Sequence, residues 1–318
     1  MNILVCGTNY GATYLRAIAS PFVQDFRLAG ILSTGSQRSQ ELAQYFSVPH
    51  FTDLAQLPVS DIDIACVAVP GAAGLNLIHG LLRQQVHVLA EHPMGFEAMD
   101  SCLKLAEQHG CCFHVNGHFA DLNAPQAFFN AIKTAEHMSK ALTFSVSVNL
   151  RTLYSGLDML GRAMGSLENL EVTCADTEAR EAYFRQLTIK GKDVTVSLLC
   201  QNFSSEHDDG SANLINHRLS AIFPHGNLLL AESNGPVLWF PTMTSVPAEQ
   251  WRTVMPVEDK SLSSNELMQE RDYANLLALH AIRAECVENQ KTRHQQPDYL
   301  SSLARLWDAC LKALANEA

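Results

Sequence analysis

The 318-residue chain lacks several features that would fix its class at once. No window approaches the roughly 20 uninterrupted apolar residues that a membrane span needs. The opening MNILVCGTNYGATYL has neither a basic leader nor a small-residue cleavage site. Both absences predict a soluble, cytoplasmic protein. C-x-x-C is missing too, although the chain has 9 cysteines. They are scattered, with only Cys111 and Cys112 adjacent, which argues against a disulfide scaffold and against structural zinc. Most of them read as small buried hydrophobes of a reduced compartment, and no metal is expected. Cations are scarce: 22 Lys and Arg stand against 33 Asp and Glu, a net charge of −11. A nucleic-acid partner calls for a basic face, so none is expected. A polyanionic cofactor must be held by local donors against the overall field.

What is present is an ordinary globular balance, 47% hydrophobic and 17% charged, long enough for two domains. In the N-terminal part, strand and helix alternate. Asn2–Cys6, Phe26–Leu32, Ile62–Val69, Val86–Ala90 and Cys111–Val115 read as strands. Gly11–Ser20, Arg38–Phe46, Gly74–Gln84 and Met99–Gln108 read as the helices between them. Apart from Asp63, Ile62–Val69 is continuously apolar, as a strand buried on both faces should be. This spacing predicts parallel β/α/β units in a doubly wound Rossmann sheet over residues 1–118.

The first turn carries Gly7-Thr8-Asn9-Tyr10-Gly11-Ala12, close to the dinucleotide motif G-x-G-x-x-G/A. Asn9 stands at the middle glycine, and asparagine tolerates left-handed backbone angles. Gly11 is expected to give freedom where the helix start nears a pyrophosphate. After the second strand an NAD enzyme usually places an acid for the ribose diol. Here Ser33-Thr34-Gly35-Ser36-Gln37-Arg38-Ser39 has none. Hydroxyls, helix-start amides and a guanidinium suit a 2′-phosphate, so NADPH is the expected cofactor. A capped helix with a solvated Arg38 is the plainer alternative.

From Leu142 the pattern turns to period two. Thr143–Leu150 and Asp193–Phe203 alternate, and His217–Phe223, Leu228–Ser233 and Val237–Phe240 form a meander joined by PHGN and SNGP turns. Asn265–Glu288 and Pro297–Asn316 read as helices. Residues 119–318 are therefore expected to form an α+β substrate and dimerisation domain with a largely antiparallel sheet. The acidic loop Ser204–Ser211 is a weak metal candidate. The active site should lie at the carboxyl ends of the parallel strands, facing the second sheet.

Glu91-His92-Pro93 follows the fourth of these strands directly, and the third ends at Val69-Pro70, where the nicotinamide is expected. The arrangement resembles the Gfo/Idh/MocA oxidoreductases, which carry Glu-Lys-Pro there. His92 replaces the lysine and is expected to bind substrate or exchange a proton near neutral pH. CGTNYGATYL, LSTGSQRSQELA, VHVLAEHP, LAEQHGCCFHVN, RTLYSGLD, HRLSAIF and SNGPVLW narrow the likeness. Together they resemble the thiazolinyl imine reductases of siderophore assembly, the pyochelin and yersiniabactin type. The resemblance implies reduction of a thiazoline C=N to a thiazolidine on a carrier domain of a nonribosomal peptide synthetase. It implies hydride from NADPH, a proton from an acid or water, and no metal. Glu91 and Asn116 are expected beside the cofactor.

Relatives place a tyrosine where this chain has Phe119, which donates no proton. His118 is the adjacent candidate, although neighbours on a strand face opposite ways. Tyr154 and Asp158, four apart, are substrate-pocket candidates; a helix cap and a surface acid are the plain alternative. His114, His118 and Cys112 would share a strand face, but their spread suits packing better than a metal. Arg151, Arg162, Arg180, Arg185, Lys190 and Lys192 lie near one another in sequence. They suit either an acidic carrier domain or plain solvation. Two other functions stay open: a sugar or polyol dehydrogenase, and a non-catalytic NADPH-binding partner of the synthetase. A homodimer through the open sheet face is expected.

Overall fold

A computed structural model describes residues 1–174, 183–202, 213–242 and 262–315. Arg180 and the acidic loop 204–211 lie outside the described residues. The described chain divides into two compact units, residues 1–118 with 263–301 and residues 119–262 with 302–318.

The first unit is built on β1 (Asn2–Cys6), α1 (Ala12–Ile18), β2 (Arg27–Leu32), α2 (Gln37–Tyr45) and β3 (His50–Phe51). Then come β4 (Ile64–Val67), α3 (Gly71–Arg83), β5 (His87–Glu91), α4 (Phe96–His109) and β6 (Phe113–Asn116). All pairs in its sheet are parallel, in the order β3-β2-β1-β4-β5-β6. Ile64, Ala65, Cys66 and Val67 are essentially inaccessible, the signature of a strand covered on both faces. The chain reverses its order between β1 and β4. The crevice outside their carboxyl ends is where this topology binds ligands.

In the second unit come α5 (Asn123–Glu136), β7 (Thr143–Asn149), α6 (Leu153–Met164), β8 (Glu171–Cys174), β9 (Phe184–Lys190) and β10 (Thr195–Gln201). β11 (His217–Phe223), β12 (Gly226–Leu230) and β13 (Val237–Pro241) complete its sheet, in the order β13-β12-β11-β7-β10-β9-β8. Every pair is antiparallel except β7 with β10. Phe144, Val146 and Val148 of β7 face inward and Thr143, Ser145 and Ser147 outward, so one face is packed under α5 and α6.

The helix α7 (Ser264–Glu288) departs from the expected division, because it belongs to the first unit. Leu279 and Ile282 enter one core with Tyr14, Leu15 and Ile18 of α1. Arg16 on α1 also pairs with Asp272, at 2.9 Å. Residues 119–318 thus are not one unit. The last helix, α8 (Pro297–Ala315), runs from the first unit into the second. Among the described residues no helix is long and apolar enough to cross a membrane.

Candidate active site

The turn after β1 is closed by Gly7, whose φ of +85° only glycine adopts freely. A Cβ there would lie 2.8 Å from the Ala68 carbonyl oxygen. Asn9 is not among the residues of positive φ, so the left-handed role expected of it is not used. Its Oδ1 instead accepts from Arg38 Nη1 at 3.2 Å, tying the turn to the start of α2. Gly11 also has a different role from the one expected. Its angles are ordinary helical, φ −54° and ψ −21°. It is needed for space, since a Cβ would stand 2.1 Å from the Gly7 carbonyl oxygen.

Gly7, Thr8 and Asn9 line a cleft of about 570 Å³ together with Ser33, Thr34, Ser36, Val69 and Pro70. This is a cradle for a dinucleotide: a glycine turn, a helix start and hydroxyls after β2, with an apolar wall after β4. Asp53 also reaches the cleft, but its carboxylate caps a short 3-10 turn through Ala55 N–H at 2.9 Å. Ser33 Oγ lies 2.8 Å from His50 Nε2. Gly35 takes the bend before α2, with φ +84°. Ser39, expected to bind cofactor, is fully buried, and its hydroxyl donates to the Ser36 carbonyl at 2.7 Å. It serves the helix cap and is not presented to a phosphate.

At the carboxyl ends of β5 and β6 a buried polar network gathers side chains from four segments. Asn116 Nδ2 lies 2.8 Å from Glu91 Oε1, 2.6 Å from the Tyr14 hydroxyl and 2.7 Å from Asn275 Oδ1. Tyr14 donates to the same Glu91 oxygen. Tyr10 turns away from the cleft: its hydroxyl donates to Asn275 at 3.3 Å and lies 3.0 Å from His118 Nδ1. Tyr14 and Asn275 escaped the sequence reading. Both leave a trace there: Tyr14 stands one helical turn beyond Tyr10, and Asn275 is a lone amide in the apolar run of α7.

His92 Nδ1 lies 2.7 Å from the Asn116 carbonyl oxygen. A carbonyl only accepts, so Nδ1 carries a proton and exchange of a second proton falls to Nε2. The His92 and His118 ring centroids are 5.8 Å apart. Ligand atoms of Glu91, His92 and His118 all fall within 4.8 Å of one another. His118 begins a 3-10 turn, His118–Asp121, so strand alternation does not govern where it points. His114 pairs with Glu285 at 2.6 Å, and the imagined grouping of His114, His118 and Cys112 does not form.

Burial pushes the Glu91 carboxyl up to about 7, even though Tyr14 and Asn116 favour its charged form. An unfolded glutamate titrates near about 4.3. The folded protein therefore keeps, up to about pH 7, a proton that the unfolded chain has already released. Stability from this group is present below that window and is lost as pH rises through it. Thermal melts of the cofactor-free protein between pH 4.5 and 8 should fall more steeply for wild type than for Glu91→Gln. Equal slopes would contradict this assignment.

In the second unit the Phe119 ring packs on His217, centroids 4.6 Å apart. Tyr154 and Asp158 are 3% and 5% exposed, neither a cap nor a surface acid. Tyr154 meets Trp307 edge-on, and Asp158 shares Arg162 with Asp121. Arg185 is buried and donates to the Leu314 carbonyl, and the Arg162 side chain, 9% exposed, is taken up by Asp121 and Asp158. These two arginines cannot belong to a basic docking face, which leaves Arg151, Lys190 and Lys192 exposed among the described members of that group.

No curated protein matches the chain in sequence. Solved structures share its fold. An oxidoreductase from Agrobacterium radiobacter, in complex with NAD+, L-tartaric acid and magnesium, superposes with a TM-score of 0.75 at 11% identity, covering 100% of this chain and 97% of that one. A 3-ketoreductase from Actinomadura kijaniata, KijD10, in complex with NADP, gives 0.69 at 17% identity, with 97% and 96% covered. A UDP-N-acetylglucosamine 3-dehydrogenase from Acidithiobacillus ferrooxidans gives 0.70 at 13%, with 99% and 97% covered. Residues 1–117 match the model of the oxidoreductase family with an NAD-binding Rossmann fold, and residues 139–240 that of the thiazolinyl imine reductase Irp3-like C-terminal domain. The chain thus joins a nucleotide-binding part of the Gfo/Idh/MocA oxidoreductase type, a fold that holds a nicotinamide cofactor, to a C-terminal domain of the Irp3-like thiazolinyl imine reductase type.

Proposed function

We propose that the protein reduces the C=N bond of a thiazoline to a thiazolidine, using NADPH, on a siderophore intermediate held as a thioester by a carrier domain of a nonribosomal peptide synthetase. One observation carries the proposal: at the position where Gfo/Idh/MocA relatives have lysine, this chain has a histidine whose Nδ1–H is tied to a backbone carbonyl. The match of residues 139–240 supports the substrate class.

Bound in the cleft, NADPH supplies the hydride for the imine carbon. The protein's part is to hold the ring and to manage one proton. His92, oriented by Asn116, in its imidazolium form gives the Nε2 proton to the thiazoline nitrogen and keeps the one on Nδ1. His118, close to His92 and beside the Tyr10 hydroxyl, is the second group through which that proton is replaced. Phe119 has no proton to give and serves by shape. The test is product analysis. A thiazoline thioester analogue incubated with enzyme and NADPH should gain two hydrogens, whereas polyols with NADP+ should give no reduced cofactor. Polyol oxidation without thiazoline reduction would replace this reading with a sugar dehydrogenase.

Preference for NADPH rests on the acid-free segment after β2, where Arg38 stands exposed at the start of α2. Arg38→Ala should raise the Kd for NADPH about tenfold, the loss of one charge-assisted hydrogen bond, and leave that for NADH nearly unchanged. Equal weakening of both, measured by fluorescence titration, would mean that Arg38 does not read the 2′-phosphate.

A homodimer through the open face of the second sheet completes the reading. Ser145 of β7, Ser197 of β10 and Ser220 of β11 are in register there, with Leu199 and Ile222 exposed beside them. A monomeric mass in solution would remove this part.

A further inference from the structure

At the amino-terminal ends of β5 and β6, opposite the carboxyl ends where the candidate site lies, three reactive side chains meet. His87 opens β5, Cys112 precedes β6, and Cys286 comes from the last turns of α7. Their side-chain ligand atoms all lie within 4.8 Å of one another. Cys112 is 9% exposed, while His87 and Cys286 are half-buried, which gives a small oxidant a path to the pair. The neighbouring Cys111 is engaged elsewhere, its thiol directed at the Leu82 carbonyl oxygen at 3.6 Å.

We propose that Cys112 and Cys286 are a peroxide-reactive thiol pair that closes to a disulfide between the entry of β6 and α7. The two sulfurs have unequal roles. The Cys286 thiol donates to Cys112, and this contact, with His87 beside it, holds the Cys112 thiol below its ordinary range although burial opposes it. The same contact keeps Cys286 protonated. His87, whose Nδ1 accepts from the Cys112 N–H at 2.9 Å, stands on the Cys112 side of the pair, so Cys112 is assigned as the attacking thiolate and Cys286 as the resolving thiol.

The chemistry balances with hydrogen peroxide as oxidant. The Cys112 thiolate attacks one peroxide oxygen, the O–O bond breaks, and the departing oxygen leaves as water after taking a proton, giving a sulfenic acid. The Cys286 sulfur then attacks the Cys112 sulfur. The S–O bond breaks, and the released hydroxide leaves as a second water with the Cys286 proton. The thiols lose two electrons in all and the peroxide gains them.

A soft cation is the other occupant such side chains suggest. Cys112 N–H, however, donates to His87 Nδ1 at 2.9 Å, so that lone pair is in use and the neutral ring's proton sits on Nε2. The ring as wired has no free lone pair for a metal.

The test is titration of the intact, reduced protein with hydrogen peroxide near neutral pH, read by thiol counting, intact mass and peptide mapping. The expected result is loss of two thiols, a mass lower by two hydrogens, and one cross-linked peptide joining Cys112 to Cys286. Cys111→Ser should behave like wild type. Cys286→Ser should stop at a sulfenic acid on Cys112 that a 1,3-dione reagent traps, so the pair remains testable if Cys112→Ser folds poorly. A disulfide between Cys111 and Cys112, thiol loss unchanged in Cys286→Ser, or a purified protein carrying zinc that Cys286→Ser loses would each overturn the proposal.

Discussion

Replacing His92 with alanine is expected to lower kcat for thiazoline reduction by about 10²- to 10⁴-fold, the range for a lost general acid. NADPH affinity should stay within about twofold, because a group used only in the proton transfer does not contribute to ground-state binding of the cofactor. The fold should survive as well. His92 follows a strand end secured by the pairing of Glu91 with Asn116, and its Nδ1 lies against the Asn116 carbonyl. Loss of a partly buried ring costs little beside the loss of a proton donor. His92→Gln should not recover the rate, since an amide donates a hydrogen bond but does not give up the proton. Stopped-flow oxidation of NADPH with saturating thiazoline thioester separates these cases. A kcat within about threefold of wild type in both variants would take the proton away from His92 and leave His118 or solvent to supply it.

The second large effect concerns Gly11→Ala, ordinarily a mild change at a helix start. Here the added methyl would sit 2.1 Å from the Gly7 carbonyl oxygen, and Val5 Cγ1 stands 3.0 Å away on another side. The obstructing atom is backbone, and Gly7 has little room to retreat, since its own missing Cβ would be 2.8 Å from the Ala68 oxygen. Overpacking of this kind costs about 1–3 kcal/mol, which lowers the Tm of a domain of this size by about 2–12 °C. The turn must also open, moving the start of α1 away from where a pyrophosphate is held, so Kd for NADPH should rise at least about tenfold. Thermal melts and cofactor titration of the variant check both. An unchanged Tm with unchanged NADPH affinity would show that the turn has slack that the packing denies.

Much of the first unit is legible in the chain because its rules are local. A short, continuously apolar Ile64–Val67 between turn signals suits a strand with both faces covered, and a glycine turn after β1 announces a dinucleotide cleft. Local rules also explain the misassignments. The turn at Gly7–Ala12 resembles the three-glycine motif, but only the packed chain shows Gly7 supplying the left-handed angle and Gly11 the space. Strand β9 was not recognised because Arg185 occupies an inward position, which breaks the alternation. The helical pattern of α7 can be read along the chain, without revealing that α1 is its partner. The network of Tyr14, Glu91, Asn116 and Asn275 is the least visible feature. Its four members are far apart in sequence, and each alone looks like an ordinary polar residue; only the fold makes them one group. The same holds for His87, Cys112 and Cys286, whose spacing matches no metal or redox motif.

The most direct measurement is single-turnover oxidation of NADPH by the wild-type protein, followed at the nicotinamide absorbance, with a thiazoline thioester analogue as acceptor and NADH in parallel. One equivalent of NADPH consumed per thiazolidine formed, with NADH distinctly slower, is the expected result. NADPH that binds tightly and is never oxidised by the thiazoline would contradict the account.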